Sequence, residues 1–123
     1  AGTSWLDVGR RDWDDGLLAA TGLSRAQMPR LVEGSEVSGL LRDDLAARWG
    51  LPKGVVVAGG GGDNAASAVG VGVVQAGEAF VSLGTSGVLF AASDAYRPDA
   101  GSAVHTFCHA LPGTWHQMGV ILA

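Results

Sequence analysis

Four consecutive glycines at residues 59–62 stand between the apolar run Val-Val-Val-Ala at 55–58 and Asp63-Asn64, with Ala-Ala-Ser-Ala-Val following at 65–69. A short continuous apolar run predicts a strand covered on both faces. The small residues after the turn suit a helix packed close against a sheet. Glycines let the backbone between them turn sharply and let a ligand approach without interference from a Cβ. Helix N-terminal amides then face that ligand and favour anionic groups. Strand, glycine turn and helix together define an α/β unit with a potential anion site at its turn. Asp63 also has a purely structural reading, as N-cap of the helix, and that role leaves the carboxylate able to accept a proton.

Two familiar phosphate motifs fit this turn poorly. A Walker A loop needs a Gly-Lys-Ser/Thr closure, and the nearest lysine, Lys53, precedes the strand. The run from Gly60 to Ala65 matches the dinucleotide pattern G-x-G-x-x-A, but the ribose-binding acid should end the next strand, roughly twenty residues on. Glu78 stands before that strand instead, and the Asp63 carboxylate would repel a pyrophosphate. A second turn, Gly84-Thr85-Ser86-Gly87, lies between the apolar segments 79–83 and 88–92. Its amides can form an anion-binding nest to which Thr85 and Ser86 add hydroxyls, although Gly, Ser and Thr also fill ordinary hairpin turns.

Composition narrows the classes. With 123 residues the chain suffices for one ordinary domain. A hydrophobic share of 47% against 16% charged residues supports a buried core and argues against a disordered segment. A net charge of -4 and scattered basic residues argue against bulk nucleic-acid binding. The single cysteine, Cys108, rules out an intrachain disulfide and fits a reducing compartment. The apolar runs are much shorter than the ~20 residues of a membrane helix, and no secretion signal opens the chain. The absence of an initiator Met and the apolar ending at 120–123 suggest an internal piece of a longer protein.

Periodicity predicts a helix over 12–20, with Trp13, Leu17 and Ala20 on one face, and a short helix opened by the capping-box spacing of Ser24 and Gln27. A third helix has Leu41, Leu45 and Trp49 in line behind Asp43 and Asp44. Residues 33–39 have no helical period and read as an exposed loop. The second half reads as strands: 79–83 and 88–92 form one hairpin, and 104–111 pairs with 115–122 around a type II turn at Pro112-Gly113. That turn would place His109 opposite His116. His105, Cys108, His109 and His116 invite a metal reading, but two histidines without a third converging ligand make a poor zinc site. Hydrogen bonding at a surface or between domains is the expected role of the histidines, and burial as a small apolar residue that of Cys108. Trp13 and Trp49 are read as helix-packing residues.

Residues 60–66 (Gly-Gly-Gly-Asp-Asn-Ala-Ala), Gly70-Val71-Gly72 and residues 82–87 (Ser-Leu-Gly-Thr-Ser-Gly) together resemble the FGGY carbohydrate kinases, members of the actin-like, sugar-kinase and heat-shock ATPase superfamily. Further likeness lies in Trp5-Leu6-Asp7-Val8, Leu23-Ser24-Arg25, Gln27-Met28-Pro29, Glu33-Gly34-Ser35-Glu36, residues 103–112 (Ala-Val-His-Thr-Phe-Cys-His-Ala-Leu-Pro) and Trp115-His116. These residues are similar to the branch of the family that phosphorylates D-xylulose.

The resemblance implies an α/β, ribonuclease-H-like fold, with residues 1–75 ending a first domain and 76–123 beginning a second. It implies Asp63 as the base that takes the proton from the sugar hydroxyl, Asp63 and Asn64 as sugar contacts, and Gly84, Thr85, Ser86 and Gly87 as the turn that holds the nucleotide phosphates. ATP and magnesium are the implied cofactors and a small sugar the implied partner, in the cytoplasm, with a homodimer as a candidate assembly and no nucleic acid or membrane partner. Another FGGY sugar or polyol kinase, an ATPase module of the actin or heat-shock type, and a non-catalytic structural piece are the competing readings. The family's first phosphate loop and a second sugar-contacting acid lie upstream of residue 1, and its adenine pocket downstream of residue 123. The 123-residue chain alone is therefore expected to lack kinase activity.

Overall fold

The structure, a computed structural model, describes residues 2–122; the chain ends Ala1 and Ala123, read above as cut points, lie outside the described residues. The first half is built from small pieces. Strand β1 (Leu6–Asp7) pairs antiparallel with β2 (Asp12–Trp13), and helix α1 (Asp15–Ala20) follows. The sequence pattern ran this helix from residue 12. Pairing of Leu6 with Trp13 holds the latter in a strand, its indole N–H donates to the Pro29 carbonyl at 3.0 Å, and Asp14 caps the helix by accepting from the Leu17 amide at 2.9 Å. The predicted short helix is a 3₁₀ turn, Arg25–Gln27, in which Gln27 Oε1 accepts the Ser24 N–H at 2.8 Å as the capping-box spacing requires.

Strand β3 (Val37–Leu40) occupies part of the stretch read as loop, because it pairs with β4 (Val56–Ala58) around a bulge between Val37 and Gly39. Neither β4 face is closed: Val56 and Val57 are 55% and 44% exposed, so the expectation of a doubly covered strand is corrected. Helix α2 (Asp43–Arg48) forms behind its two first-turn acids, but it buries Ala46 and leaves Trp49 60% exposed. The Leu/Trp stripe is thus not its packing face among the described residues.

Helix α3 (Asp63–Gly70) begins at Gly62, the N-cap, and buries Ala65 and Ala68, one turn apart. It lies on an antiparallel sheet of order β5 (Ala79–Leu83), β6 (Ser86–Ser93), β8 (Trp115–Leu122), β7 (His105–Cys108). Strand alternation explains which side is buried. Phe80 opposes Phe90, Phe90 opposes Met118, and Ala92 opposes His116, so these residues share one face. Phe90 and Ala92 on that face pack with Ala68 and Val73. Only a helix face as small as alanine brings α3 this close. Val81, Leu89 and Ile121 belong to the other face and are exposed.

The register of β7 and β8 differs from the expected one by two residues. His116 stands opposite Phe107, and Cys108 opposite Trp115. The pairing ends at Cys108, and the His109 amide donates to Thr114 O at 2.9 Å across a wider loop than a turn at 112–113 alone would make. His109 and His116 are both buried, so of their two expected placements, at a surface or between domains, the first is corrected.

Candidate active site

The glycine turn is shaped by what lies against it. Gly60 has φ of 77°, a conformation that favours glycine. A Cβ on Gly59 would run into the Glu33 carbonyl oxygen. The Gly59 and Gly60 amides donate to Glu36 O and Gly34 O, both at 2.9 Å. The run is therefore a backbone-to-backbone contact with residues 33–36, and it delivers Asp63 as the first residue of α3.

The helix cap is Gly62, so Asp63 is not the N-cap of the structural reading. Asp63 Oδ1 accepts the Asn64 amide at 2.8 Å. Oδ2 accepts no hydrogen bond, and the carboxylate has no cationic partner, among the described residues. Asp63 and Asn64 line a cavity of about 170 Å³ whose other walls include Phe107, His116 and Met118. A second cavity of about 210 Å³ is lined by Gly60 and Gly61 together with Arg11, Glu33 and His109, and Gly62 borders both. An exposed anionic acceptor beside a neutral amide, backed by apolar rings, suits a small polyhydroxylated ligand.

Sequence reasoning did not foresee His116 in this cavity. Its ring stacks on Phe90 at a centroid distance of 4.2 Å, and its Nδ1 is buried without a hydrogen-bond partner. Burial, with His109 nearby, pushes its pKa down to about 4. His109 has a fixed tautomer: Nδ1 accepts the Leu111 amide at 3.2 Å, so the proton sits on Nε2, 3.2 Å from Val73 O. Burial lowers its pKa as well. The rings meet edge-on, 6.0 Å apart. Among the described residues, no group of three His, Cys, Asp or Glu is placed to hold a metal ion. Cys108 is half-buried against the Leu6, Trp13 and Leu18 cluster. Glu78, weighed as a ribose ligand, accepts the Gln75 and Val74 amides at 2.7 Å each, and those bonds hold its carboxyl below the usual range.

The second turn forms the tip of the β5–β6 hairpin, where Leu83 pairs with Gly87. The Gly84 amide donates to Ser86 O at 3.1 Å, so it is already engaged within the tip. Thr85 is exposed, and neither its hydroxyl nor that of Ser86 makes a hydrogen bond among the described residues. A Cβ at Gly84 or Gly87 would meet nothing nearer than 3.9 Å, so packing does not demand glycine there. The tip lines neither of the two cavities.

An α/β segment with a glycine turn, an acid at a helix start and a polar hairpin tip defines part of an actin-like ATPase fold, and solved structures bear this out. A xylulose kinase from Brucella ovis matches 99% of this chain with a TM-score of 0.96 and 69% identity, over 25% of its own length. A xylulose kinase from Rhodospirillum rubrum matches 97% with a TM-score of 0.86 and 26% identity, over 24% of its length. Residues 1–70 match the N-terminal domain of the FGGY family of carbohydrate kinases, and the chain belongs to that family. The xylulose kinases of Klebsiella pneumoniae and Escherichia coli (strain K12) are each 58% identical to it over all 123 residues. The chain spans about a quarter of the length of these relatives, 25% in both.

Proposed function

We propose that, in a protein of its relatives' full length, this segment carries the catalytic base of an ATP-dependent ketose kinase that converts D-xylulose to D-xylulose 5-phosphate. The observation that carries this reading is the Asp63 carboxylate, with Oδ2 uncommitted, on the wall of a cavity it shares with Asn64. The names of the relatives support the sugar.

In this reading a sugar hydroxyl gives its proton to Asp63 Oδ2 while its oxygen attacks the γ-phosphorus. The bond to the β-phosphate oxygen breaks, and ADP leaves. Phosphoryl transfer has a loose transition state, so positioning and charge stabilisation dominate and a carboxylate suffices as base. Asn64 orients the sugar through its amide. Thr85 and Ser86 hydroxyls, with the Thr85 amide at the tip between Gly84 and Gly87, take the nucleotide phosphates; the lack of any atom nearer than 3.9 Å to a Cβ at either glycine supports a close approach there. Because the tip and Asp63 line no common cavity here, the substrates themselves bridge the two. Magnesium would neutralise charge on the β- and γ-phosphates; Asp63, exposed and without a cationic partner among the described residues, would fit an outer contact to it.

Residues 1–75 are assigned to the end of the first domain and 76–123 to the start of the second, supported by a family match that ends at residue 70. Among the described residues no helix is long and apolar enough to cross a membrane, and we place the enzyme in the cytoplasm, where its ATP is. The same match argues against an actin- or heat-shock-type module. A coupled ADP-release assay of the full-length enzyme over D-xylulose, D-ribulose, glycerol and gluconate tests the substrate. Highest kcat/KM for D-xylulose is expected; preference for glycerol or gluconate would move the protein to another branch of the family.

A further inference from the structure

Arg11 adopts a backbone conformation that its residue type does not favour. Its φ is 55°, in the left-handed region where a residue with a Cβ is uncommon. Such a residue persists where its surroundings over-determine it, and it is often found near functional sites. The surroundings of Arg11 meet that condition. Its Nε and Nη2 donate to Glu33 Oε1 and Oε2 at 2.9 and 2.6 Å, a two-pronged ion pair. Its Nη1 donates to the Thr114 carbonyl at 2.9 Å. The guanidinium also lies 5.1 Å from the centre of the Trp115 ring. The side chain is only 18% exposed. One guanidinium thus joins the β1–β2 turn, the 33–36 segment and the β7–β8 loop.

The 33–36 segment is also the support of the glycine turn. Gly34 accepts the Gly60 amide, and a Cβ on Gly34 would run into the Ala110 carbonyl oxygen. On the other side a Cβ at Gly61 would stand 3.0 Å from Ala110 Cβ. Gly34 therefore meets Ala110 and Gly60 backbone to backbone, and only the short Ala110 methyl stands between Ala110 and Gly61, so little side chain is present to absorb a displacement. Close-packed layers transmit strain, and Asp63 is two residues beyond Gly61.

We infer that Arg11 is a positioning residue: by gripping Glu33 and Thr114 together, it sets the position of the glycine turn and hence the reach of the Asp63 carboxylate. The inference rests on the reading of Asp63 as the base. The planar fork of arginine is essential to this role, because a lysine offers a point charge and cannot hold both carboxylate oxygens and a carbonyl in one plane.

The test uses the full-length enzyme with Arg11→Lys, Glu33→Gln and Asp63→Asn, measuring kcat, KM for ketose and for ATP, and Tm. Misplacement of a reacting group by about an ångström costs on the order of 100-fold. A fall of that order in kcat is therefore expected for Arg11→Lys and Glu33→Gln, with KM for ATP near the parent value. Should Arg11→Lys fail to fold, Glu33→Gln carries the test, since it keeps the shape of the side chain and one acceptor oxygen. Parent-like kcat with a lowered Tm would make the clamp merely structural and overturn the inference. So would a fall in kcat accompanied by an equal loss of ATP affinity. Turnover by Asp63→Asn would remove the base itself, and the inference with it; an inactive Asp63→Asn beside a fully active Glu33→Gln would leave the base reading standing and refute the clamp alone.

Discussion

The placement of Asp63 and Asn64 at a helix start was legible because its signal is local. A glycine run ahead of an acid and an alanine-rich segment specifies a turn and a helix start within ten residues of chain, and the structure forms α3 from Asp63 to Gly70. Arg11 was not legible. Its partners Glu33 and Thr114 are 22 and 103 residues away, and nothing in the sequence reports a left-handed φ at an arginine. His116 was singled out, but its burial comes from packing on Phe90 of the neighbouring β6, a strand pairing that sequence reasoning did not supply. That burial has a pH consequence. The folded pKa of His116 is about 4, below the ordinary ~6.5 of the unfolded chain, so the unfolded state binds more protons between those values. Stability that His116 contributes is present above pH ~6.5 and is lost as pH falls toward about 4. Replacing it with Phe should flatten the fall in denaturation midpoint of the full-length protein over that range. An unchanged pH slope in His116→Phe would show that the imidazole is not kept neutral by the fold.

Elements defined by their own caps and turns came out close to expectation: the Ser24–Gln27 box, α3 and the β5–β6 hairpin. Elements defined by distant pairing did not. Residues 12 and 13 have a helical pattern, yet β1 claims them as a strand partner. Val37–Leu40 has no pattern of its own and becomes β3 only because β4 lies beside it. For β7 and β8, Pro112-Gly113 suggested the tightest closure, whereas His109 to Thr114 closes the loop earlier and moves the register by two. The contact between α3 and the sheet is the element-scale feature on which the site depends, because Ala68 and Phe90, both fully buried, hold the helix that presents Asp63. Truncating a buried phenylalanine typically costs about 3–5 kcal/mol. Phe90→Ala should therefore lower the unfolding free energy by roughly that amount in chemical denaturation; a loss of less than about 1 kcal/mol would mean that α3 is anchored elsewhere.

At the scale of the whole molecule, the structure sets an acid and an amide on one cavity and a polar hairpin tip apart from it, and the function proposed above reads these as one part of a kinase cleft. It matches only 25% of the length of its relatives. The 123 residues expressed alone are expected to show no ATP-dependent phosphorylation of D-xylulose in a radiolabel transfer assay, and detectable product would overturn this. The family was readable from two short glycine motifs and the 103–116 segment because each is a pattern of neighbouring residues in the chain. The spatial separation of the two turns was not, since it follows from the length and pairing of β6. The most direct test of the whole account is phosphoryl transfer by the full-length enzyme carrying Asp63→Ala, measured beside its affinity for ATP. The account predicts loss of transfer to D-xylulose with ATP binding largely intact; near-normal turnover would contradict it.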